Sequence, residues 1–253
     1  MLEKLKEKFL SGQLILIDKP LTWTSFDAVK RLRYLIRKEL DIKKIKVGHA
    51  GTLDPLATGL LIICTGKFTK KIDEIQTQEK EYNGIITLGA TTPSFDLEKP
   101  IDSEFPVTHL TEKLIKETAL SFIGEQQQVA PIHSAKKIDG KRAYEYAREG
   151  EEVIIKSNTI TIKAFDVEVC NLSALETHDL IDSKINREKP YAKGVHVKFR
   201  IVCTKGTYIR SIARDFGLAV NSGGHLSQLK RTRIGNYRVE DALKMEDVQR
   251  LFL

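Results

Sequence analysis

The stretch GHAGTLDPLATG, residues 48–59, is the most informative part of this 253-residue chain. Its three glycines allow tight or left-handed turns and a close approach to a ligand. Pro55 lacks a backbone N–H and biases Asp54 away from helical conformation. The apolar run at residues 60–64 follows and is typical of a buried strand. The stretch therefore predicts a rigid loop that presents the Asp54 carboxylate, although spacing alone favours a simple Asp-Pro turn.

The segments on either side of this loop predict an α+β fold. Strands are predicted at residues 14–17, 60–64, 82–88, 153–155, 159–169, 195–204 and 226–233. Helices are predicted at residues 24–36, 68–78, 111–122, 142–149, 207–220 and 241–251. In the first helix Thr24 or Ser25 is the expected cap, and Phe26, Val29, Leu32 and Ile36 recur at helical spacing. Residues 90–106 are expected to be mostly connection and residues 176–194 a long hairpin loop. Strand runs interspersed with a few helices indicate a mixed, mainly antiparallel sheet.

The charge balance is basic, with 41 Lys and Arg against 34 Asp and Glu, a net charge of +7. A basic excess attracts polyanions, because each phosphate that a cation neutralises releases condensed counterions. The basic clusters lie at Lys43, Lys44 and Lys46, at Lys136, Lys137, Lys141 and Arg142, and at Lys230, Arg231 and Arg233. Each cluster can meet RNA phosphates and also fits a solvated face.

The remaining bulk features indicate a cytoplasmic protein. Cys64, Cys170 and Cys203 are odd in number and widely spaced, which favours neither a disulfide framework nor a metal site. The N-terminus alternates charge and has no apolar signal core. No apolar run reaches the roughly 18 residues that a membrane span needs.

Several motifs together resemble the TruB family of tRNA pseudouridine synthases. Residues 48–59 resemble the family's signature, and the other matching motifs follow in the family's order: LIDKP at 16–20, KEY at 80–82, LG at 88–89, QVAPIHSAKK at 128–137, GKR at 140–142 and KGTYIR at 205–210. The resemblance covers about residues 12–250. It implies the pseudouridine synthase fold, with a single catalytic domain over residues 1–253 and an RNA-clamping insertion at about 125–152.

The resemblance also implies an activity. The family converts the uridine at position 55 of the tRNA T-loop to pseudouridine, without a cofactor or a metal. It breaks the bond between ribose C1′ and uracil N1, turns the base and rejoins it through C5. The expected partner is the tRNA T-stem-loop, reached by base flipping. A C-terminal PUA-type domain, a guide RNA and a membrane partner are not expected, and the protein is expected to be a monomer.

Three residues match the family's catalytic positions. Asp54 matches the nucleophile, and an ionised carboxylate is the form that attacks. Arg210 matches the arginine that pairs with it, where a guanidinium counters the effect of desolvation on the carboxylate. Tyr82 matches a tyrosine that stacks on uracil and brings its hydroxyl near the C5 proton. Without the resemblance, Arg210 would fit a surface helix position beside Arg214, and Tyr82 an ordinary strand aromatic.

Further residues match substrate-binding positions. His49 matches the histidine that stacks in place of the flipped base, although a lone histidine is more often structural. Asp96 matches an aspartate near the flipped base, and a plain loop carboxylate is nearly as good an interpretation. Tyr208 fits either packing against the base or core packing alone. Lys19, Ser134 and Lys136 lie in matching motifs and are assigned to the substrate-binding set.

Two other classes of function stay open from the sequence. A tRNA-binding folding helper without catalysis is possible, and the intact Asp54, Tyr82 and Arg210 argue against it. A hydrolase with a covalent carboxylate nucleophile normally needs a second carboxylate as acid or base. Asp96 is the candidate for that second group, but it lies in no equally distinctive motif.

Overall fold

The computed structural model describes residues 2–134, 136–151, 153–170 and 191–252. Its α-helices are α1 (Leu2–Ser11), α2 (Ser25–Glu39), α3 (Ile72–Thr77), α4 (Glu112–Ser121), α5 (Ala143–Glu149) and α6 (Ile209–Ala219). Its first seven strands are β1 (Leu14–Lys19), β2 (Val47–His49), β3 (Ala57–Thr65), β4 (Lys80–Leu88), β5 (Ala90–Thr91), β6 (Ser103–Glu104) and β7 (Gly124–Gln128). The others are β8 (Lys137–Ile138), β9 (Lys141–Arg142), β10 (Asn158–Cys170), β11 (Val195–Cys203), β12 (Gly224–Ile234), β13 (Tyr237–Arg238) and β14 (Leu243–Lys244). Short 3₁₀ helices span Gly66–Lys71, Val239–Asp241 and Met245–Phe252.

The chain divides into two compact units. The first contains residues 1–82 and 229–253, and the second contains residues 83–228. The division falls inside β4 and β12, so each of these strands contributes residues to both units.

The first unit contains strands in the order β14-β1-β3-β12. β1 is antiparallel to β3, with Leu14 opposite Cys64 and Lys19 opposite Gly59. β12 is parallel to β3, and β2 pairs with the other end of β3. β3 is almost entirely buried, which explains why its sequence is a continuous apolar run instead of an alternating one.

Helix α2 packs one face into the core of the first unit. Thr24 begins it with a capping box, because its side chain accepts from Asp27 N while the Asp27 carboxylate accepts from Thr24 N. The buried face is formed by Ala28, Val29, Leu32, Leu35 and Ile36, which recur at helical spacing. The predicted helix and its cap are confirmed. Phe26 matches the helical spacing but lies outside the buried face and is 60% exposed.

The second unit contains strands in the order β4-β11-β10-β7. β10 is antiparallel to both β11 and β7. The apolar face of α6 buries Ile209, Ile212, Ala213 and Phe216. Around Phe216 the rings of Phe122 and Phe165 pack with centroids 5.8 and 5.3 Å away. Together with the first unit, these pairings confirm the predicted mixed, mainly antiparallel α+β fold.

Some local predictions were wrong. Residues 153–155 form no strand, and Ile154 is 90% exposed. The region 68–78 is a 3₁₀ segment followed by the short α3, and the C-terminal helix is 3₁₀. Helix α1 was not predicted, and residues 90–106 contain the small β5-β6 sheet. Most of the predicted hairpin loop at 176–194 lies outside the described residues.

Gly59 lies where β3 meets β12 and has a φ of +96°. A Cβ atom there would be 2.3 Å from the backbone oxygen of Arg231, so a side chain would clash as well as strain the backbone. Gly140, in the turn between β8 and β9, has a φ of +88°, but among the described residues no atom beyond its chain neighbours lies within 4 Å of such a Cβ. Alanine at Gly140 would therefore introduce backbone strain alone, whereas alanine at Gly59 would add a steric clash with the backbone of Arg231.

We expect Gly59→Ala to lower the free energy of unfolding by about 3 kcal/mol or more, because strain and a backbone clash add. Gly140→Ala should cost only about 1–2 kcal/mol, from strain alone. Urea unfolding followed by circular dichroism measures both. Equal losses in the two variants would contradict the close packing of β3 on β12.

Candidate active site

Asp54 lies in the turn that joins β2 to β3 within the first unit. Ala50 N donates to Ile62 O at 2.8 Å, and Ala57 N donates to Asp54 O at 3.1 Å. The loop is shorter than the predicted 48–59, because β2 extends to His49 and β3 begins at Ala57. Asp54 is half-buried, so its carboxylate is not sealed inside the protein.

The guanidinium of Arg231 holds the backbone around this turn. Its Nε donates to Leu60 O at 2.8 Å, its Nη2 to Gly51 O at 3.0 Å and its Nη1 to Thr52 O at 3.4 Å. Only 1% of Arg231 is exposed. Neither a phosphate contact nor a solvated face, the two interpretations that the sequence allowed, fits Arg231. Its donors bind two carbonyls of the loop and one of β3, and its rigid fork fixes all three at once.

Ser25, at the start of α2, holds the residue that precedes Asp54. Leu53 N donates to Ser25 Oγ at 2.8 Å, and Ser25 Oγ lies 3.2 Å from Leu53 O. On the other side of Asp54, Thr22 N donates to Pro55 O at 2.8 Å. The backbone is thus fixed both before and after the carboxylate, by residues that the sequence did not single out for this role.

Lys19, at the end of β1, is fully buried. Its Nζ donates to Trp23 O at 2.6 Å and Pro20 O at 3.0 Å, and lies 3.5 Å from Pro55 O. Burial lowers the pKa of Lys19 to about 8, the negative charge of Asp54 opposes that shift, and the positive charge of Arg231 adds to it. Through these contacts Lys19 stabilises the backbone of the turn. Its contact with substrate stays a prediction.

Two more predicted site residues lie in the first unit. His49 ends β2 and is partly exposed. Burial, and then the charge of Arg231, lower the pKa of its imidazole, so the neutral ring is favoured at neutral pH. A neutral planar ring is suited to stacking. Tyr82 lies on β4 and is 8% exposed.

In the second unit, Arg210 and Asp96 form a buried ion pair. Arg210 Nε is 3.6 Å from Asp96 Oδ2, and the two side chains are 4% and 6% exposed. Arg210 also donates to Ser94 O at 3.3 Å and to His133 O at 3.0 Å. The sequence alone also allowed Arg210 to be a surface residue and Asp96 to be a plain loop carboxylate. Neither interpretation fits, because both side chains are buried and paired. The pairing of Arg210 with Asp54 stays a prediction.

The other predicted binding residues are linked to the insertion in the same unit. Tyr208 is the N-cap residue of α6, and the side chain of Gln128 binds its backbone. Tyr208 N donates to Gln128 Oε1 at 2.8 Å, and Gln128 Nε2 donates to Tyr208 O at 3.1 Å. Sequence reasoning missed Gln128, whose signal was its place at the head of a matching motif. Ser134 is buried, and its carbonyl accepts from Tyr144 N at 3.1 Å. Lys136 Nζ donates to Asn158 Oδ1 at 3.0 Å.

Two features of the described part of the chain bear on the site and its setting. No group of three or more His, Cys, Asp or Glu side chains there could hold a metal ion. None of its helices is both long and apolar enough to pass through a membrane.

Comparison with solved structures places the fold. The chain superimposes on a chain of a Cbf5-Nop10-Gar1 complex with a TM-score of 0.63 and 26% identity, covering 98% of this chain and 55% of that one. A chain of an H/ACA RNP bound to a substrate RNA containing 2′-deoxyuridine gives a TM-score of 0.60 at 24% identity, covering 97% and 54%. The chain spans about half the length of these solved chains. Together they define the class of protein by its fold, that of the pseudouridine synthases.

Comparison with sequences is more specific. The family model of the N-terminal domain of TruB family pseudouridylate synthases matches residues 37–209, and that of the tRNA pseudouridylate synthase B C-terminal domain matches residues 210–253. The tRNA pseudouridine synthase B of Flavobacterium johnsoniae is 52% identical, covering 94% of each chain. That of Phocaeicola vulgatus is 50% identical, covering 94% of this chain and 92% of the relative. The chain belongs to the TruB family of pseudouridylate synthases, which confirms the resemblance of its motifs.

The buried ammonium of Lys19 predicts a pH dependence of stability. The pKa of Lys19 is about 8 in the folded protein and has the ordinary lysine value of 10.5 in the unfolded chain. Between these two pH values, unfolding is therefore accompanied by the uptake of a proton. Raising the pH through this window therefore favours the folded state. The free energy of unfolding of the unaltered protein, minus that of Lys19→Met, should rise by about 2–3 kcal/mol from pH 7.5 to 10.5. Urea unfolding at several pH values measures it, and a flat difference would contradict a buried, charged lysine.

Proposed function

We propose that this protein is a tRNA pseudouridine synthase that isomerises uridine 55 in the T-loop, with Asp54 as the nucleophile. Its support is the family membership and the relatives named tRNA pseudouridine synthase B at about half identity over nearly the whole chain. The reaction breaks the bond from ribose C1′ to uracil N1, turns the base and forms a bond from C1′ to C5. The C5 proton leaves and N1 takes up a proton, so the product is an isomer of the substrate.

The observation that carries the proposal is the bracing of the Asp54 turn. A carboxylate nucleophile has to be ionised and held at a fixed distance from the carbon that it attacks, because a misplacement of about 1 Å can cost about 100-fold in rate. Arg231 and Ser25 hold the backbone before Asp54, and Thr22 holds it after. Such bracing serves a side chain whose position matters.

The other predicted residues take defined parts in this proposal. Tyr82 stacks on the uracil and brings its hydroxyl near the proton that leaves C5. Arg210, oriented by its ion pair with Asp96, offers its guanidinium to the nucleophile.

The uridine has to leave the T-loop stack before its glycosidic bond can be reached. The neutral imidazole of His49 fills the gap that the base leaves. Phosphates of the stem are met by exposed cations such as Lys43, Lys44 and Lys46. The reaction needs no cofactor, and the partner is the tRNA T-stem-loop in the cytoplasm.

Tritium release from C5-labelled uridine in an unmodified tRNA transcript tests the chemistry. We expect Asp54→Asn to lower the release rate by at least about 10³-fold, because the amide is not a nucleophile. The affinity for tRNA should stay within about threefold of that of the unaltered protein. Asp73→Asn is the matched control, since Asp73 is an exposed acid of the same unit. A transcript with cytidine at position 55 should release no tritium. Undiminished release by Asp54→Asn would end the nucleophile proposal, and binding without release by the unaltered protein would favour the folding helper.

A second substitution tests whether the hydrogen bonds of Arg231 hold the Asp54 turn in place. Arg231→Lys keeps the charge but loses the fork that binds three carbonyls, so the turn should loosen. We expect kcat to fall by about 10- to 100-fold while KM for tRNA changes by less than about threefold. Arg233→Lys, two residues along the same strand, is the control, because Arg233 pairs with Glu79 and not with the turn. An equal fall in kcat for both variants would remove the specific role of Arg231.

A further inference from the structure

A pocket of about 600 Å³ opens in the first unit beside the start of α2. The side chains that line it are Thr22, Trp23, Asp27, Lys30, Arg31 and Tyr34. Its volume lies in the range of pockets that bind small molecules. We propose that it binds an unstacked nucleotide of the RNA substrate, distinct from the reacting uridine. This inference rests on the proposed function and adds a second point of contact with the same RNA.

The aromatic lining fits a nucleobase. Trp23 is partly buried and packs against the core of the unit, so its ring is held in place. Tyr34 is 55% exposed, and the guanidinium of Arg31 lies 6.0 Å from its ring centroid. Single-stranded bases stack on tryptophan and tyrosine rings and on the guanidinium plane of arginine. One pocket offers all three surfaces.

The charge around the pocket fits a phosphate. Helix α2 carries five cations, at Lys30, Arg31, Arg33, Arg37 and Lys38, against two acids, at Asp27 and Glu39. The three lysines at 43, 44 and 46 follow it, and all three are exposed. Asp27 is the one acid in the lining, and its carboxylate already accepts hydrogen bonds from the backbone and hydroxyl of Thr24. A net basic surface interleaved with aromatic rings favours RNA over a protein partner.

The pocket adjoins the Asp54 turn. Thr22, in its wall, has a φ of +69° and donates its N–H to Pro55 O. The ammonium of Lys19 donates to Trp23 O and lies 3.5 Å from Pro55 O. The backbone of the pocket and the backbone next to Asp54 are therefore held by common contacts. A nucleotide in the pocket would belong to the same RNA molecule as the uridine presented to Asp54.

Tryptophan fluorescence reads the pocket directly, because Trp23 is the one tryptophan in the chain. The experiment adds unmodified tRNA transcript, or the isolated T-stem-loop, to Asp54→Asn protein, in which turnover is blocked. We expect saturable quenching, because a base stacked on the indole alters its emission. Comparing the two RNAs tells whether the nucleotide lies within the T-stem-loop or elsewhere in the tRNA.

Lys30→Gln combined with Tyr34→Ala tests the lining. Both side chains are exposed, so the fold should survive, which the urea midpoint checks. We expect affinity for the quenching RNA to fall at least about fivefold, from lost stacking. The slope of log K against log salt should become shallower by about 0.7–0.9, from one lost phosphate contact. The matched control is Lys113→Gln with Leu120→Ala on α4, which removes one exposed cation and one exposed apolar side chain elsewhere.

The outcomes separate this inference from the proposed function. Unchanged Trp23 emission at saturating RNA, or equal affinities of the pocket variant and the control variant, would overturn the pocket as an RNA site and leave tritium release by the unaltered protein intact. Absence of release by the unaltered protein, with quenching and the affinity loss present, would instead overturn the proposed function and keep the RNA pocket. Quenching that saturates and is weakened only by the pocket variant supports the inference.

Discussion

The buried guanidinium of Arg231 is the interaction on which the Asp54 turn depends. A buried charge is costly unless its donors are satisfied, and Arg231 satisfies its donors with backbone oxygens of the loop and of β3. The sequence separation between Arg231 and Gly51 is 180 residues. The turn can therefore take its final form only after a strand near the end of the chain has joined the one that follows the loop. Gly59 belongs to the same constraint, because the close contact with the backbone of Arg231 leaves no space for a Cβ atom.

Two buried cations, Lys19 and Arg231, thus contact the backbone of the Asp54 turn, and they differ in kind. Arg231 binds three carbonyls through a planar fork, whereas Lys19 carries a single ammonium whose pKa burial lowers to about 8. Asp54 attracts the Lys19 ammonium and Arg231 repels it. Replacing either cation by a neutral residue would change the field around Asp54 as well as the hydrogen bonds of the turn. Arg231→Lys preserves the positive charge and loses the hydrogen bonds to the three carbonyls. For that reason it tests the geometry of the turn more selectively than a neutral substitution does.

Local signals in the sequence predicted most elements, and the errors have physical causes. The Thr24 cap and the apolar run of β3 depend on neighbouring residues, so they could be recognised in sequence. Phe26 satisfied the helical spacing, but periodicity does not say how wide the buried stripe of a helix is. Residues 153–155 had strand propensity, which is weak without a partner strand. The contacts of Arg231 and Gln128 join residues far apart in the chain, and no local pattern records them. The motif resemblance named Asp54, Tyr82 and Arg210 as a set, and it could not show what holds the Asp54 turn rigid.

The buried pair of Arg210 and Asp96 bears on the choice between an isomerase and a hydrolase. Such a pair is weak evidence for stability, because desolvation of both charges offsets their attraction. Its clearer effect is orientation, since Arg210 is held by Asp96 and by the carbonyls of Ser94 and His133. A hydrolase that used Asp96 as its general acid would need this carboxyl group protonated. In the structure its Oδ2 lies 3.6 Å from Arg210 Nε, and its Oδ1 accepts a hydrogen bond from Glu98 N at 3.0 Å. This arrangement suits Asp96 to positioning an arginine better than to donating a proton, which argues against the hydrolase interpretation.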